Sequence, residues 1–241
     1  MKILSIDTAS DVCGVSILDD ENLVCKMDSN TGRTHSENLI PMIKNALDKS
    51  SIILEDIDLI VCDKGPGSFT GIRIGIATVK AFSDSLNINC IGISSLESLA
   101  FNLKGFIKEN DIICSLMDCK NNNCYYALYE FKNNKFTEFL KPSTDNIENI
   151  LEFLSSYNST ITFVGDGTVN YKDIIINKTN SCKFVNDNDN ILNSFSLGLA
   201  GLSKYNEGTT NENILPLYLK KPQAQNQLEE KLRKESLLNN G

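Results

Sequence analysis

Three turns in this chain have residue types that suit chemistry on an anion. The first is Gly65-Pro66-Gly67-Ser68, followed by Phe69-Thr70-Gly71-Ile72-Arg73-Ile74-Gly75-Ile76-Ala77-Thr78-Val79-Lys80. A Gly-Pro-Gly break at a helix start leaves backbone N–H groups at the positive end of the helix dipole. No Gly-Lys-Ser/Thr follows, so the segment is not a P-loop. The second turn is Ile6-Asp7-Thr8-Ala9-Ser10, a strand that ends in an acid and hydroxyls before a hairpin. In an ATPase of this layout such a turn holds phosphates through backbone N–H groups, and the acid orients a metal's water. The same residues also make an ordinary Asx turn. The third, Gly165-Asp166-Gly167, could be the matching phosphate turn of the second half and is the least specific. The single histidine, His35, excludes HxxxH and HExxH metal sites and would have to serve any Ser-His-Asp or Cys-His system. It stands in the first turn of an expected helix, where the dipole opposes its protonation, and reads as a surface residue.

The elements that position these turns follow from periodicity. Apolar runs at 2–6, 12–18 and 23–27 predict a three-strand meander. Thr34-His35-Ser36-Glu37 fits a capping box. Leu39, Ile40, Ile43, Ala46 and Leu47 form the apolar stripe of the helix that follows, and Pro41 predicts a kink in it. A strand at 58–62 leads into the Gly-Pro-Gly break, and Ser68 stands at the N-cap of a helix over 69–86. Gly71 and Gly75 each cost that helix about 1 kcal/mol relative to alanine. Four residues apart, they share one face, which a neighbouring helix of the chain, a partner or a ligand must approach closely.

A strand at 90–93 and a helix at 95–103 complete the first half. The second half repeats the order: strands at 111–117, 124–131 and 136–140, a helix over 147–157, a strand at 161–165, a helical stretch over 171–176, a strand at 182–185 and a helix over 191–205. Asp166-Gly167 reads as a turn. Two such halves predict mixed α/β lobes over 1–104 and 105–222 with helices outside the sheets, then a polar tail over 223–241.

The 241 residues suit one large domain or two smaller ones. A net charge of −8 argues against a large nucleic-acid footprint. No signal peptide or membrane-length apolar run is visible. The eight cysteines include no CxxC and read as reduced, buried small side chains. The expectation is a cytoplasmic protein with no metal site.

Five segments carry a resemblance: residues 6–10; His35-Ser36-Glu37-Asn38-Leu39-Ile40-Pro41-Met42-Ile43; Gly65 through Lys80; residues 92–100; and Pro216-Leu217-Tyr218-Leu219-Lys220-Lys221-Pro222. Together they closely resemble the TsaB (YeaZ) family, peptidase-like paralogues in the bacterial machinery that makes threonylcarbamoyladenosine in tRNA. The resemblance implies an α/β, duplicated, two-lobed ASKHA fold, the actin and sugar-kinase (RNase H-like) architecture. It implies a non-catalytic subunit that dimerises with TsaD, the metal-carrying threonylcarbamoyltransferase, with the ATPase TsaE joining the complex. tRNA is then met only indirectly, and ATP or ADP belongs to the complex.

In the family the helices matching 36–49 and 68–86 make the dimer contact. That implies a partner surface at Leu39, Ile40, Ile43, Ser68, Gly71, Ile72, Gly75 and Thr78. Left exposed, such a surface favours a homodimer. The alternative is a weak ASKHA-type ATPase using Asp7 and Thr8 with Gly165 and Gly167. A glycoprotease-like peptidase finds neither paired metal ligands nor a triad. The chain departs from the family at Asp118-Cys119-Lys120 and Asn123-Cys124-Tyr125, where an Arg and a Glu are usual. A cleft function resting on those two residues is not expected here.

Overall fold

The computed structural model describes residues 1–30, 34–210 and 213–220; the expected polar tail and the end of the 216–222 segment lie outside them. Two five-stranded sheets carry the chain. The first is built from β1 (Lys2–Asp7), β2 (Cys13–Asp19), β3 (Asn22–Ser29), β4 (Leu59–Asp63) and β5 (Asn89–Ile93), in the order β3-β2-β1-β4-β5. The second is built from β6 (Ile112–Asp118), β7 (Asn123–Lys132), β8 (Lys135–Asn146), β9 (Ile161–Val164) and β10 (Cys182–Phe184), in the order β10-β9-β6-β7-β8. Each sheet is an antiparallel three-strand meander with two further strands parallel to its first. The halves therefore repeat one topology although their sequences do not repeat.

The helices are α1 (His35–Ser50), α2 (Phe69–Leu86), α3 (Ser95–Phe101), α4 (Ile147–Ser155), α5 (Asp166–Asn170), α6 (Lys172–Lys178) and α7 (Ser194–Asn206). α1 opens with the expected capping box at Thr34 and runs on through Pro41. The segment read as a turn at Asp166-Gly167 is instead the start of α5. β8 extends well past the expected 136–140. It is the outermost strand, where Pro142 and the exposed Lys141 are tolerated because one side needs no ladder.

Strand alternation sorts the first sheet's side chains to two faces. Leu4, Ile6, Ile17 and Ile60 pack with α1 and α2. Ile3, Leu18, Val61 and Ile91 face Leu197, Ala200 and Leu202 of α7, a helix from the second half of the sequence. Conversely, Leu96, Leu99 and Ala100 of α3 pack with Ile113, Ala127 and Val164 of the second sheet. Packing therefore does not follow the two halves of the sequence: each half covers part of the other's sheet. After α7 the chain returns once more, burying Ile214 in the core beneath α1 and α2.

α7 lies close to its sheet. The Ser5 hydroxyl donates to the Ser194 carbonyl at 2.6 Å, and the Ser16 and Ser194 hydroxyls lie 2.7 Å apart. A Cβ at Gly201 would fall into the Val61 side chain. Alanine in an open helix position gains about 1 kcal/mol over glycine, but here overpacking should dominate. Gly201→Ala is expected to lower stability by about 1–3 kcal/mol, read by denaturant melts. A gain in stability would show that α7 stands further from the sheet.

Candidate functional site

The first two anion-type turns meet at the ends of β1 and β4. These strands pair in parallel with Ile6 opposite Cys62, so Asp7 and Asp63 are the next residues on neighbouring strands. Both carboxyls are buried. Asp7 Oδ1 accepts the Ala9 N–H at 3.0 Å. Asp63 Oδ1 accepts the Gly65 N–H and the Ser95 hydroxyl, each at 2.7 Å, while its Oδ2 accepts no hydrogen bond. Burial pushes Asp7 up to about 6, with Asp28 adding to the rise. Burial, and then the charge of Asp7, pushes Asp63 well above the usual carboxylate range. Two carboxylates side by side in a dry site do not both ionise readily, so the pair retains a proton. Asp63 was not apparent in the sequence; an acid closing an apolar strand directly before Lys-Gly-Pro-Gly is the signal that was there.

The turns are filled from within. The Ser68 N–H donates to the Ala9 carbonyl at 2.7 Å. The Thr8 hydroxyl donates to the Gly71 carbonyl at 2.8 Å. A Cβ at Gly67 would strike the Ala9 carbonyl, one at Gly71 the Thr8 carbonyl, and one at Gly75 the Thr8 hydroxyl. His35 closes the same hairpin turn, its Nε2–H donating to the Ser10 carbonyl at 2.8 Å. The Val12 N–H bonds the Ser10 hydroxyl at 3.2 Å. The residues of Ile6-Asp7-Thr8-Ala9-Ser10 thus join the chain's own core, and Ser68 acts as the expected N-cap, accepting from the Gly71 N–H at 3.2 Å. The matching turn in the second half is similarly occupied. The Gly165 N–H donates to Asn190 Oδ1 at 2.9 Å, and Gly165 and Gly167 both press on the Leu116 carbonyl.

The residues expected at a partner contact divide. Leu39, Ile43, Gly71, Ile72 and Gly75 are buried, because the apolar stripe and the glycine face turn toward the first sheet and Thr8. Ile40 is 51% exposed, and Ser68 is exposed and Thr78 half-buried. The outward side of α2 is a different row: Thr70, Ala77 and Ala81, with Ile74 and Thr78 at its margin. These positions recur at helical spacing and are uncharged, and the exposed Arg73 and Asp84 lie on the same side of the helix. α1 and α2 cover the same face of the first sheet, and Ile40 and Pro41 are exposed on α1. A return strap borders α2: Leu217 N–H donates to the Lys64 carbonyl at 2.7 Å, the Tyr218 ring stacks on Phe69 at 4.7 Å, and Arg73 Nε donates to the Tyr218 hydroxyl at 2.6 Å.

At the far end of β6, Asp118 ties the strand to α5 and α6. Its carboxylate accepts from Asn170, from the Tyr171 hydroxyl at 3.1 Å and from the Lys120 N–H at 2.8 Å. Lys120 itself lies in the left-handed region, its side chain 84% exposed. The substituted position thus points to solvent and takes no part in the turns described above.

Residues 28–228 match the family described as TsaD: tRNA N6-adenosine threonylcarbamoyltransferase. The chain is 28% identical over 225 residues to the tRNA threonylcarbamoyladenosine biosynthesis protein TsaB of Bacillus subtilis (strain 168), covering 93% of this chain and 96% of that protein. It is 32% identical over 184 residues to TsaB of Buchnera aphidicola subsp. Schizaphis graminum, covering 76% and 84%. In fold it resembles YeaZ from Pseudomonas aeruginosa, with a TM-score of 0.72 at 20% identity over 90% of this chain and 99% of that one. A ROK hexokinase from Thermus thermophilus superposes with a TM-score of 0.51 at 8% identity, over 86% of this chain and 100% of that one. The architecture is therefore the duplicated ASKHA fold.

The buried acid pair makes stability depend on pH with a defined sign. Its carboxyls bind protons more tightly folded than unfolded, so their contribution is fully present below about pH 4. It falls as pH rises through about 6 for Asp7 and beyond for Asp63. Asp63→Asn keeps an acceptor for Gly65 and Ser95 but cannot ionise. Its melting temperature should gain on the wild type by on the order of 5 °C between pH 5 and pH 8. A difference that stays constant with pH would show that Asp63 is ionised throughout.

Proposed function

Because this chain belongs to the TsaB (YeaZ) family, we propose that it serves the synthesis of N6-threonylcarbamoyladenosine in tRNA as a non-catalytic subunit, docking a TsaD-like transferase through the outward sides of α1 and α2. A TsaE-like ATPase joins that complex, and tRNA meets the complex rather than this chain. The observation that carries the reading is the exposure of Thr70, Ala77 and Ala81 on α2 and of Ile40 on α1, two helices on one face of the first sheet. Small uncharged side chains let a second helix approach closely. Covering Ile40 removes from water an isoleucine that the fold leaves half exposed. Without its partner the same surface serves a homodimer.

Two further observations support a role without chemistry of its own. The turns that would cradle phosphates are occupied by the chain's own carbonyls and side chains. The chain has one histidine, too few for the paired metal ligands of a TsaD-type transferase. Among the described residues no helix is long and apolar enough to cross a membrane. An ATPase centred on Asp7 would need to expel Thr8 and Ala9 from their contacts with α2.

The test is light scattering on size-exclusion fractions of this chain mixed with the TsaD-type protein of the same organism. A stable mixed complex is expected. Ala77→Arg and Ile40→Asp should each weaken it at least about tenfold while leaving the melting temperature of the isolated chain nearly unchanged, since both sites are exposed. No complex, or one indifferent to both substitutions, removes the proposal. Turnover of ATP by the isolated chain, abolished by Asp7→Ala, would establish the ATPase in its place.

A further inference from the structure

The outward side of α2 carries one charge of each sign. Arg73 and Asp84 are both exposed, and Ala77 and Ala81 stand exposed between them. At about 3.6 residues per turn and about 1.5 Å per residue, the two charges lie about 16 Å apart and within about 20° of one line down the helix. Arg73 is the only arginine among the described residues. Its Nε donates to the Tyr218 hydroxyl at 2.6 Å, and its guanidinium carbon lies 5.5 Å from the centre of that ring. Tyr218 is stacked in turn on Phe69. The guanidinium is therefore held in place with its terminal nitrogens left to donate, and among the described residues no carboxylate pairs with it. Asp84 pairs with no cation among the described residues either. The third charge of α2, Lys80, turns to the strap, its Nζ donating to Asn213 Oδ1 at 2.9 Å.

We propose, on the reading of this side as a docking surface, that a second copy of the chain packs on it, α2 against α2 and antiparallel, with Arg73 of each copy on Asp84 of the other. A twofold axis across an antiparallel helix pair reverses direction but keeps each residue on its own lateral side. A line with a cation at one end and an acid at the other is then its own complement. Ala77 of one copy comes nearly level with Ala81 of the other, and side chains of that size let the helices approach. A parallel pair would instead set each charge level with its own kind. The arginine fork matches a carboxylate with two parallel hydrogen bonds. Because Tyr218 already fixes the guanidinium, little side-chain freedom is lost on pairing. A different partner using the same row displaces the second copy, so the dimer shields the docking surface until that partner arrives.

Charge reversal tests this on the isolated full chain, read by light scattering at micromolar concentration. The unsubstituted chain is expected at the mass of a dimer. Arg73→Asp places two acids on each row and Asp84→Arg two arginines, so each should raise the dissociation constant of the dimer at least about tenfold. Mixed in equal amounts, the two variants should restore a dimer, and native mass spectrometry should find one copy of each in it. A monomeric parent chain, single variants that dimerise unchanged, or a mixture that stays monomeric overturns the proposal. Asp84 has no bond within the described chain to lose, so Asp84→Arg decides alone should Arg73→Asp fail to fold. Mixing with the TsaD-type protein separates this inference from the reading beneath it. A monomeric chain that still binds that protein removes the antiparallel dimer only, whereas a chain that neither dimerises nor binds removes the docking surface as well.

Discussion

Between the Thr8-Ala9 turn and α2 there is no room for a side chain. Gly67, Gly71 and Gly75 each present bare backbone to main-chain or hydroxyl atoms of that turn. This approach seats α2 on the first sheet, joins the β1–β2 hairpin to the β4–α2 connection and sets the depth at which Asp7 and Asp63 lie. It also decides which side of α2 faces outward. The helix is locked by its smallest residues on one side and shows Thr70, Ala77 and Ala81 on the other, with Arg73 and Asp84 among them.

The same closeness explains how an ASKHA fold can hold turns shaped for phosphate without leaving them free. Anion cradles depend on N–H groups aimed at an open space. Here Ala9, Val12, Gly65, Ser68 and Gly165 all donate inward, to Asp7, Ser10, Asp63, Ala9 and Asn190. The strand ends and helix starts spend their polar groups on bonds within the chain. The buried carboxyl pair carries an energetic cost, since an apolar pair would pack more favourably there.

Much of this was legible in the sequence. α2 was placed at both ends because a capping serine and regular apolar spacing agree over five turns. The repeated order of elements in the two halves became the repeated strand order of two sheets. β8 was underestimated because an edge strand shows few of the alternating apolar residues that reveal inner strands. Several of the residues expected at a partner contact are buried for a related reason. Leu39, Ile43 and Ile72 are periodic because they form the core, and periodicity reports the covered side of a helix. The outward row of Thr70, Ala77 and Ala81 leaves no hydrophobic trace. Asp63 and the strap from Ile214 to Lys220 needed the third dimension, because their partners are distant in sequence.

The exchange of helices between the sheets bears on how this chain is made. Synthesis from the N terminus releases all five strands of the first sheet by residue 93. The face formed by Ile3, Leu18, Val61 and Ile91 is covered only when Leu197 to Leu202 emerge, and the opposite core closes only with Ile214. For more than a hundred residues of translation, the first lobe carries a bare apolar sheet face. A nascent chain in that state is a substrate for chaperones and for premature association. The lobe that holds α1 and α2 is thus begun first and finished last.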